Sequence, residues 1–385
     1  MISRSKVRNE VLLSKRITRR EYCGNTARLC LIAGLPTVFW GCSKKEASSN
    51  KKKIAVDQHG NATASLETVT ALNDYNNKAS DFKPAYLELH RKGELKKRAD
   101  ELWAIMENCR LCPRKCGVNR LKGTRGFCRA PGAKLLVSSF LSHFCEEKPL
   151  VGKGGSGTIF LTYCNLRCVF CQNYEISQLG RGSETSIEEL AGMMLTLQNE
   201  GCHNINFVTP THYSAVILKA LDIAAGKGLW LPIVYNTSGW ERIEILKVLD
   251  GIVDIYLPDF KYWDSTRSAK YSSGAESYPD IARKAILEMH RQVGVVKPTK
   301  DNIVQRGLMI RHLVMPNNTS GSERIMEWIG DNLPKDTYVN IMAQYTPIYK
   351  AFDYPEMSRR ITKEEYEGVV NKAREMGLRN LNIDG

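Results

Sequence analysis

The sequence lacks the acidic residues that would balance its basic ones. Its 55 Lys and Arg residues outnumber 41 Asp and Glu residues, which gives a net charge of +14. A basic excess is compatible with a nucleic acid, a membrane surface or an anionic substrate as partner. Much of the excess lies in the first hundred residues, and the rest of the chain lacks segments in which basic and aromatic side chains interleave. We therefore interpret the charge as a basic leader and solvated helix faces, and we do not expect nucleic-acid binding.

The apolar run near the N-terminus is too short to cross a bilayer as a helix. It extends from Leu29 to Gly41, whereas a spanning helix needs about 20 apolar residues. Thr18-Arg19-Arg20-Glu21-Tyr22 precedes this run and resembles a twin-arginine export signal. Cys42 follows it at a position suited to lipid attachment, although Phe39 and Trp40 are bulkier than a usual cleavage site. We expect residues 1–42 to be a twin-arginine-type signal, with membrane association only if it is used. The alternative is an extension that only imitates a signal.

A phosphate-binding loop is also missing. Gly152-Lys-Gly-Gly-Ser-Gly157 is rich in glycine, but it lacks the G-x4-G-K-[ST] order and precedes a strand rather than a helix. The segment is therefore expected to turn the backbone tightly into that strand.

What the chain does have is cysteine, with 12 residues at mostly tight spacings that favour metal ligation over a disulfide scaffold. Cys164, Cys168 and Cys171 follow the apolar strand Thr158–Leu161 with the spacing C-x3-C-x2-C. Thiolates suit iron–sulfur clusters, and three on one loop can hold three irons of a cubane while the fourth iron stays open. A structural zinc site is the alternative, but zinc usually takes four protein ligands.

A second group of four cysteines lies upstream, in a turn-rich segment without helical periodicity. Cys109, Cys112, Cys116 and Cys128 have the spacing C-x2-C-x3-C-x11-C. Four thiols match the ligand number of a structural zinc site or of an accessory iron–sulfur cluster, and the spacing does not choose between them. Free thiols are the remaining alternative.

From the cysteine strand onward, short apolar strands alternate with amphipathic helices, which is typical of parallel β/α units. Ahead of this core, residues 43–85 are predicted to be a flexible linker. Residues 86–150 are predicted to be a helical and cysteine-rich metal-binding region. The core domain is assigned to residues 151–385. Its six predicted strands begin with Thr158–Leu161 and continue at Asn204–Val208, Leu231–Tyr235, Ile252–Leu257, Leu308–Val314 and Tyr338–Ala343.

The C-x3-C-x2-C loop, with Phe170 before its last cysteine, resembles the radical S-adenosylmethionine superfamily. Longer stretches are similar to uncharacterised proteins related to the pyruvate formate-lyase activating enzymes. These stretches are Gly155–Phe160, Cys171–Ser177, Val208–Tyr213 and Tyr338–Tyr345, and the resemblance covers roughly residues 105–385. It implies an α/β fold, an open six-stranded parallel (β/α)6 partial TIM barrel with a cysteine-rich N-terminal extension. It also implies a [4Fe-4S] cluster on the three cysteines and bound S-adenosylmethionine.

Polar residues gather at the predicted strand ends, where parallel β/α barrels place their chemistry. The resemblance implies that Asp259, Lys261 and Arg311 contact S-adenosylmethionine and that Asn236 and Ser238 lie near its ribose. An ion pair that closes the barrel mouth is the alternative. Many superfamily members hold the ligand amine with Gly-Gly-Glu, but here Val208-Thr-Pro-Thr-His212 offers no carboxylate. The amine contact would then fall to backbone carbonyls and to Thr209 or Thr211.

The resemblance implies an enzyme that reductively cleaves S-adenosylmethionine to a 5′-deoxyadenosyl radical and abstracts hydrogen from a substrate that the sequence does not identify. A glycyl-radical protein is the partner suggested at family level, with flavodoxin or ferredoxin as reductant. The alternative is a non-catalytic iron–sulfur binding or maturation factor. Such chemistry favours the cytoplasm, whereas the N-terminus indicates export or lipid anchoring, and the sequence leaves this conflict open.

Overall fold

The computed structural model describes residues 82–383. The export-signal prediction for residues 1–42 and the linker prediction up to residue 81 lie outside the described residues. Within the described part, no helix is both long enough and apolar enough to cross a bilayer.

The described residues form a mixed sheet whose strands are mostly parallel. The strands are β1 Leu135–His143, β2 Ser156–Leu161, β3 Ser183–Thr185, β4 Ile205–Val208, β5 Ile233–Thr237, β6 Ile255–Pro258, β7 Gly307–Leu313, β8 Tyr338–Met342 and β9 Leu381–Ile383. Their order in the sheet is β3-β1-β2-β4-β5-β6-β7-β8-β9. All pairs from β2 to β9 are parallel, whereas β1 runs antiparallel to both β2 and β3.

This strand order always advances in one direction from β2 to β9. Right-handed crossovers that advance in one direction place their helices on one face of the sheet, as in a β/α barrel and unlike a doubly wound sheet. The helices are α1 Tyr86–Arg91, α2 Glu94–Ile105, α3 Lys148–Val151, α4 Tyr174–Ser177, α5 Ile187–Asn199, α6 Ser214–Gly226, α7 Ile243–Val248, α8 Ser265–Tyr271, α9 Tyr278–Val293, α10 Ser322–Asn332 and α11 Lys363–Glu375.

The predicted α/β class with its six parallel strands is confirmed, because β2, β4, β5, β6, β7 and β8 lie at the predicted places and in the predicted order. The sheet is larger than predicted. β9 adds a seventh parallel strand, and β1 with β3 adds an antiparallel edge. β1 was missed because its residues follow the cysteine-rich segment, where the chain shows no strand-helix alternation.

Local sequence signals mark the starts of two helices and the break between two others. Ser186 and Thr362 form capping boxes at the starts of α5 and α11, each with the glutamate three residues later. Gly93 separates α1 from α2 in a left-handed conformation that favours glycine.

The N-terminal helices share the hydrophobic core of the barrel. Leu95 and Leu102 of α2 are fully buried in the same cluster as Ala220 and Leu221 of α6. The hydroxyl of Tyr86 donates to the carbonyl oxygen of Leu231 at 3.0 Å. The cysteine-rich segment that follows α2 is thereby fixed against the same body as the barrel strands.

Candidate cofactor site at the strand ends

Cys164, Cys168 and Cys171 lie on the loop that leaves the carboxyl end of β2. Cys168 is the most deeply buried of the three, and its Sγ accepts a hydrogen bond from Ser272 Oγ at 3.1 Å. Cys171 Sγ lies 3.1 Å from Ser177 Oγ, and the Leu166 N–H donates to Cys164 Sγ at 3.4 Å. Donors to sulfur stabilise thiolates, so each cysteine has a neighbour suited to a ligand role.

The cluster loop is held from three sides. The Val169 N–H donates to the carbonyl oxygen of Tyr271 at 2.9 Å, and the Val169 carbonyl accepts from the Lys350 N–H at 3.0 Å. Gln178 Nε2 donates to the Cys168 carbonyl at 3.0 Å. The ring of Phe170 packs against the ring of Tyr345. The aromatic residue before the last cysteine therefore serves as a packing anchor for the loop.

A metal centre would change the protonation of these thiols. Burial raises the pKa of Cys168 to about 12, although Lys261 and the Ser272 hydrogen bond act to lower it. Burial also raises the pKa of Cys171. Thiols with such pKa values stay protonated near neutral pH, whereas a coordinating metal deprotonates them.

Among residues 82–383, no three His, Cys, Asp or Glu side chains converge closely enough to hold a single metal ion. Three thiols on one loop match the ligand number of a [4Fe-4S] cluster, which can leave its fourth iron without a protein ligand. A structural zinc site usually takes four protein ligands. The three residues thus fit a [4Fe-4S] cluster better than zinc.

Asp259, Lys261 and Arg311 come together at the ends of β6 and β7. Lys261 Nζ lies 2.6 Å from Asp259 Oδ2, and Arg311 Nε lies 2.8 Å from Asp259 Oδ1. Burial alone would raise the pKa of Asp259, but the charges of Arg311 and Lys261 outweigh it and lower that pKa. Burial would lower the pKa of Lys261, but the carboxylate of Asp259 and the sulfur of Cys168 hold it above its usual value. The carboxylate is therefore ionised, and both cations stay charged beside the cluster loop.

The two residues predicted near the ribose have different surroundings. Asn236 Oδ1 accepts from Arg311 Nη2 at 2.5 Å and is therefore already engaged. Ser238 Oγ is buried and has no hydrogen-bond partner. Tyr278 fixes this corner, since its hydroxyl contacts the carbonyl oxygens of Ser238 and Asp259 at 2.9 and 2.8 Å. An unpaired buried hydroxyl costs free energy unless a ligand pairs with it, so Ser238 is the better candidate for a ligand contact.

Sequence reasoning missed Glu146, which contacts side chains of the three strands β4, β5 and β7. Its Oε2 accepts from Asn206 and Asn236 at 2.8 and 3.2 Å, and its Oε1 lies 3.3 Å from Arg311 Nη1. The neighbouring Glu147 is buried, and its Oε1 accepts from Asn340 at 3.1 Å. The two consecutive acids just before α3 were the available signal, although their sequence positions give no hint of the strands that they reach.

Glu147 makes the stability of the protein depend on pH. Burial raises its pKa from 4.5 to about 8, although Arg311 acts to lower it. The folded state therefore keeps a proton that the unfolded chain loses, and the resulting stabilisation is lost as pH rises from about 4.5 through about 8. We expect the Tm of the wild type, relative to Glu147→Gln, to fall between pH 5 and pH 8.5. The free energy of unfolding falls by at most about 1.4 kcal/mol per pH unit over this range.

Thermal unfolding at several pH values checks this expectation, with the exposed Glu107→Gln as a control for the loss of a carboxylate. A Tm difference between the wild type and Glu147→Gln that stays constant over this range would contradict it.

Three other polar residues at or near the strand ends are structural. His312 is buried, with Nδ1 2.7 Å from the Phe260 carbonyl and Nε2 2.8 Å from Ser322 Oγ. His212 is also buried, its Nε2 lies 2.9 Å from the Thr162 carbonyl, and burial lowers its pKa to about 3. Thr211 is fully buried and donates to Glu241 at 2.5 Å. Of the two threonines considered for the ligand amine, only Thr209 is partly exposed.

The second cysteine group lies between α2 and β1. Cys109, Cys112 and Cys128 are buried, and Cys116 is partly buried. That these four cysteines bind a metal stays a prediction from the sequence.

A family model described as the Radical SAM superfamily matches residues 158–305. The uncharacterized protein MJ0674 of Methanocaldococcus jannaschii is 34% identical over 284 residues, which covers 71% of this chain and 76% of that protein. The uncharacterized protein MJ0808 of the same organism is 26% identical over 285 residues, which covers 67% of this chain and 78% of that protein. The residues matched by the family model include the cluster loop, Asn236, Ser238, Asp259 and Lys261.

Solved structures that this chain matches include SuiB of Streptococcus suis bound to S-adenosylmethionine, at a TM-score of 0.41 and 11% identity. That match covers 58% of this chain and 48% of SuiB, so the chain spans about half of its length. Methylornithine synthase (PylB) has a TM-score of 0.38 and 14% identity, over 79% of this chain and 77% of that one.

Proposed function

This chain belongs to the radical SAM superfamily, and we propose that it is an iron–sulfur enzyme that reductively cleaves S-adenosylmethionine. Cys164, Cys168 and Cys171 would hold the [4Fe-4S] cluster. The chemistry supplied by the bound cofactors is cleavage to a 5′-deoxyadenosyl radical, which abstracts hydrogen from a substrate. The narrower resemblance to pyruvate formate-lyase activating enzymes stays a prediction.

The arrangement beside the cluster loop is the observation that carries the proposal. Lys261 lies near Cys168, whose thiolate would raise the pKa of Lys261, and it shares Asp259 with Arg311. Two cations and one carboxylate therefore form one group at the ends of β6 and β7, and its charge pattern complements a zwitterionic amino-acid group.

In this proposal the side chains bind and orient the ligand. Arg311 and Lys261 would attract the ligand carboxylate, and Asp259 would keep both cations in place. Ser238 Oγ would pair with a ribose hydroxyl, since it has no other hydrogen-bond partner. Thr209 would serve the amine together with backbone carbonyls, because Thr211 is bound to Glu241.

Anaerobic reconstitution tests the proposal. Protein loaded with iron and sulfide, reduced with dithionite and supplied with S-adenosylmethionine should release 5′-deoxyadenosine. Protein without the cluster is the control and should release none. Persistent absence of the product with an intact cluster would contradict the enzyme and favour the non-catalytic iron–sulfur binding or maturation factor.

The partners follow from the chemistry of the proposed reaction. A low-potential one-electron donor of the flavodoxin or ferredoxin class would replace dithionite in the cell. A protein substrate, with a glycyl-radical protein as the family-level candidate, would donate the hydrogen atom. Both S-adenosylmethionine and such donors favour a cytoplasmic location.

A further inference from the structure

The cysteine-rich segment that packs against the cluster loop is strongly basic. Residues 109–134 contain eight Lys and Arg residues and no Asp or Glu. Five of these cations are exposed and form no ion pair with any residue in the range 82–383. They are Arg110, Lys115, Lys122, Arg125 and Arg129. The segment therefore presents a net positive charge to solvent.

Two arginines of this segment contact the residues on either side of Cys164. Arg125 Nη1 lies 3.4 Å from the hydroxyl of Tyr163. Arg114 Nε donates to the carbonyl oxygen of Asn165 at 3.0 Å. Cys164 itself is only partly buried. The positive charge of the segment therefore lies beside the cluster loop, at a cysteine that is close to solvent.

The two arginines differ in how far the fold already uses them. Arg114 also donates from Nη1 and Nη2 to the carbonyl oxygens of Ser273 and Ser272, at 2.8 and 3.1 Å. Its guanidinium carbon lies 3.8 Å from the centroid of the Phe127 ring. Arg125 is exposed, and the described residues give it only the contact with Tyr163. Arg114 thus fixes the segment to the loop, whereas Arg125 keeps its charge available to a partner.

The proposed function requires a partner at this place. Reductive cleavage needs one electron from outside the chain, so that the donor is oxidised by one electron and the cluster is reduced by one, and no bond forms or breaks in this transfer. Because electron transfer slows steeply with distance, the donor has to dock beside the cluster loop. Redox partners meet over small, transient interfaces, and opposite charges speed their association. A basic surface therefore suits an acidic donor.

A nucleic acid is the other polyanion that a basic surface attracts, but the segment offers it charge alone. Phe127 is the single aromatic residue between positions 109 and 134. It is partly buried, and its ring is covered by the guanidinium carbons of Arg114 and Arg167, 3.8 and 5.4 Å from the centroid. Single-stranded nucleic acids are bound by aromatic rings on which their bases stack. The segment has no free ring for this purpose, which favours the acidic protein.

We propose that Lys122, Arg125 and Arg129 form the docking surface for an acidic one-electron donor protein, which approaches the cluster loop at Cys164. We call these three residues the basic surface. The inference rests on the proposed function, because that reaction is what requires the donor.

Stopped-flow absorbance tests the inference on the full chain loaded with its cluster. The probe is reduced flavodoxin, an acidic one-electron donor, and the bleaching of the iron–sulfur absorbance gives the second-order rate of reduction. Lys122→Gln/Arg125→Gln/Arg129→Gln should lower this rate at least about tenfold at low ionic strength. The difference should shrink at high salt, because salt screens exposed charges. The affinity of oxidised flavodoxin for the chain without its cluster, measured by calorimetric titration, should fall in parallel.

Lys153→Gln/Lys297→Gln/Lys300→Gln is the matched control, since it removes the same number of charges. These lysines are exposed and precede β2 and β7, so they lie at the opposite end of the strands from the cluster loop. The control should keep the rate of the wild type. An unchanged rate in the surface variant, or an equal loss in the control, would overturn the inference. If the triple surface variant loses iron or stability, the single variant Arg125→Gln decides in the same way.

Two further measurements separate this inference from its alternatives. With excess dithionite, the wild type and the surface variant should release 5′-deoxyadenosine alike. If neither releases it, the proposed function fails, while the flavodoxin rate still measures the basic surface. An RNA oligonucleotide that binds the wild type and loses affinity in the surface variant, with the flavodoxin rate unchanged, would assign the basic surface to nucleic acid and overturn the inference.

Discussion

Replacing Cys168 with alanine is expected to remove about four irons per chain relative to the wild type and to abolish release of 5′-deoxyadenosine. Cys168 is the most deeply buried of the three loop cysteines, and it connects the loop to Ser272. A cluster that has only three protein ligands has no spare ligand to replace a lost one. Iron and sulfide analysis, with the visible spectrum of the reconstituted protein, measures the effect.

Cys202→Ala is the matched control for this variant. Cys202 is also a buried cysteine whose sulfur has a serine partner, since its Sγ lies 3.1 Å from Ser142 Oγ. It stands before β4, at the opposite end of the strands from the cluster loop. Its loss should leave the iron content unchanged. Unchanged iron in Cys168→Ala would show that the ligands have been assigned incorrectly.

Replacing Arg311 with alanine is expected to weaken the binding of S-adenosylmethionine by about 1.5 to 3 kcal/mol, the range for a hydrogen bond to a charged group. This corresponds to a roughly ten- to hundredfold loss of affinity. Arg311 is a mostly buried cation that pairs with Asp259, and its fork geometry suits a carboxylate. Calorimetric titration of the ligand into the cluster-loaded variant measures the change.

The structure also supports a competing role for Arg311. Its Nε, Nη1 and Nη2 contact Asp259, Glu146 and Asn236, so a ligand must share or displace these partners. If the Tm falls while the ligand affinity stays level, Arg311 belongs to the barrel framework and not to the binding site.

Arg306→Ala is the control for the loss of an ion pair between an arginine and a buried carboxylate. Arg306 Nη2 lies 3.2 Å from Oδ1 of the fully buried Asp254, and Arg306 directly precedes β7. It therefore stands at the opposite end of the strand from Arg311. This variant should lower stability and leave the affinity for S-adenosylmethionine unchanged.

The sequence by itself determined the features that depend on neighbouring residues. The spacing of Cys164, Cys168 and Cys171 identifies a ligand loop, because three thiols within eight residues must lie close together whatever the fold. The alternation of apolar strands and amphipathic helices predicted the parallel core, since side-chain periodicity is a property of consecutive positions. The capping boxes at Ser186 and Thr362 were equally local.

Only the tertiary structure decided which distant side chains meet. Glu146 contacts Arg311, 165 positions away, because the fold brings the segment before α3 against side chains of β4, β5 and β7. Arg114 meets Asn165 and Ser272 for the same reason, since the N-terminal segment packs against the loop after β2. No local pattern encodes such contacts. They depend on strand order, register and the path of the connecting loops, which the whole chain fixes together.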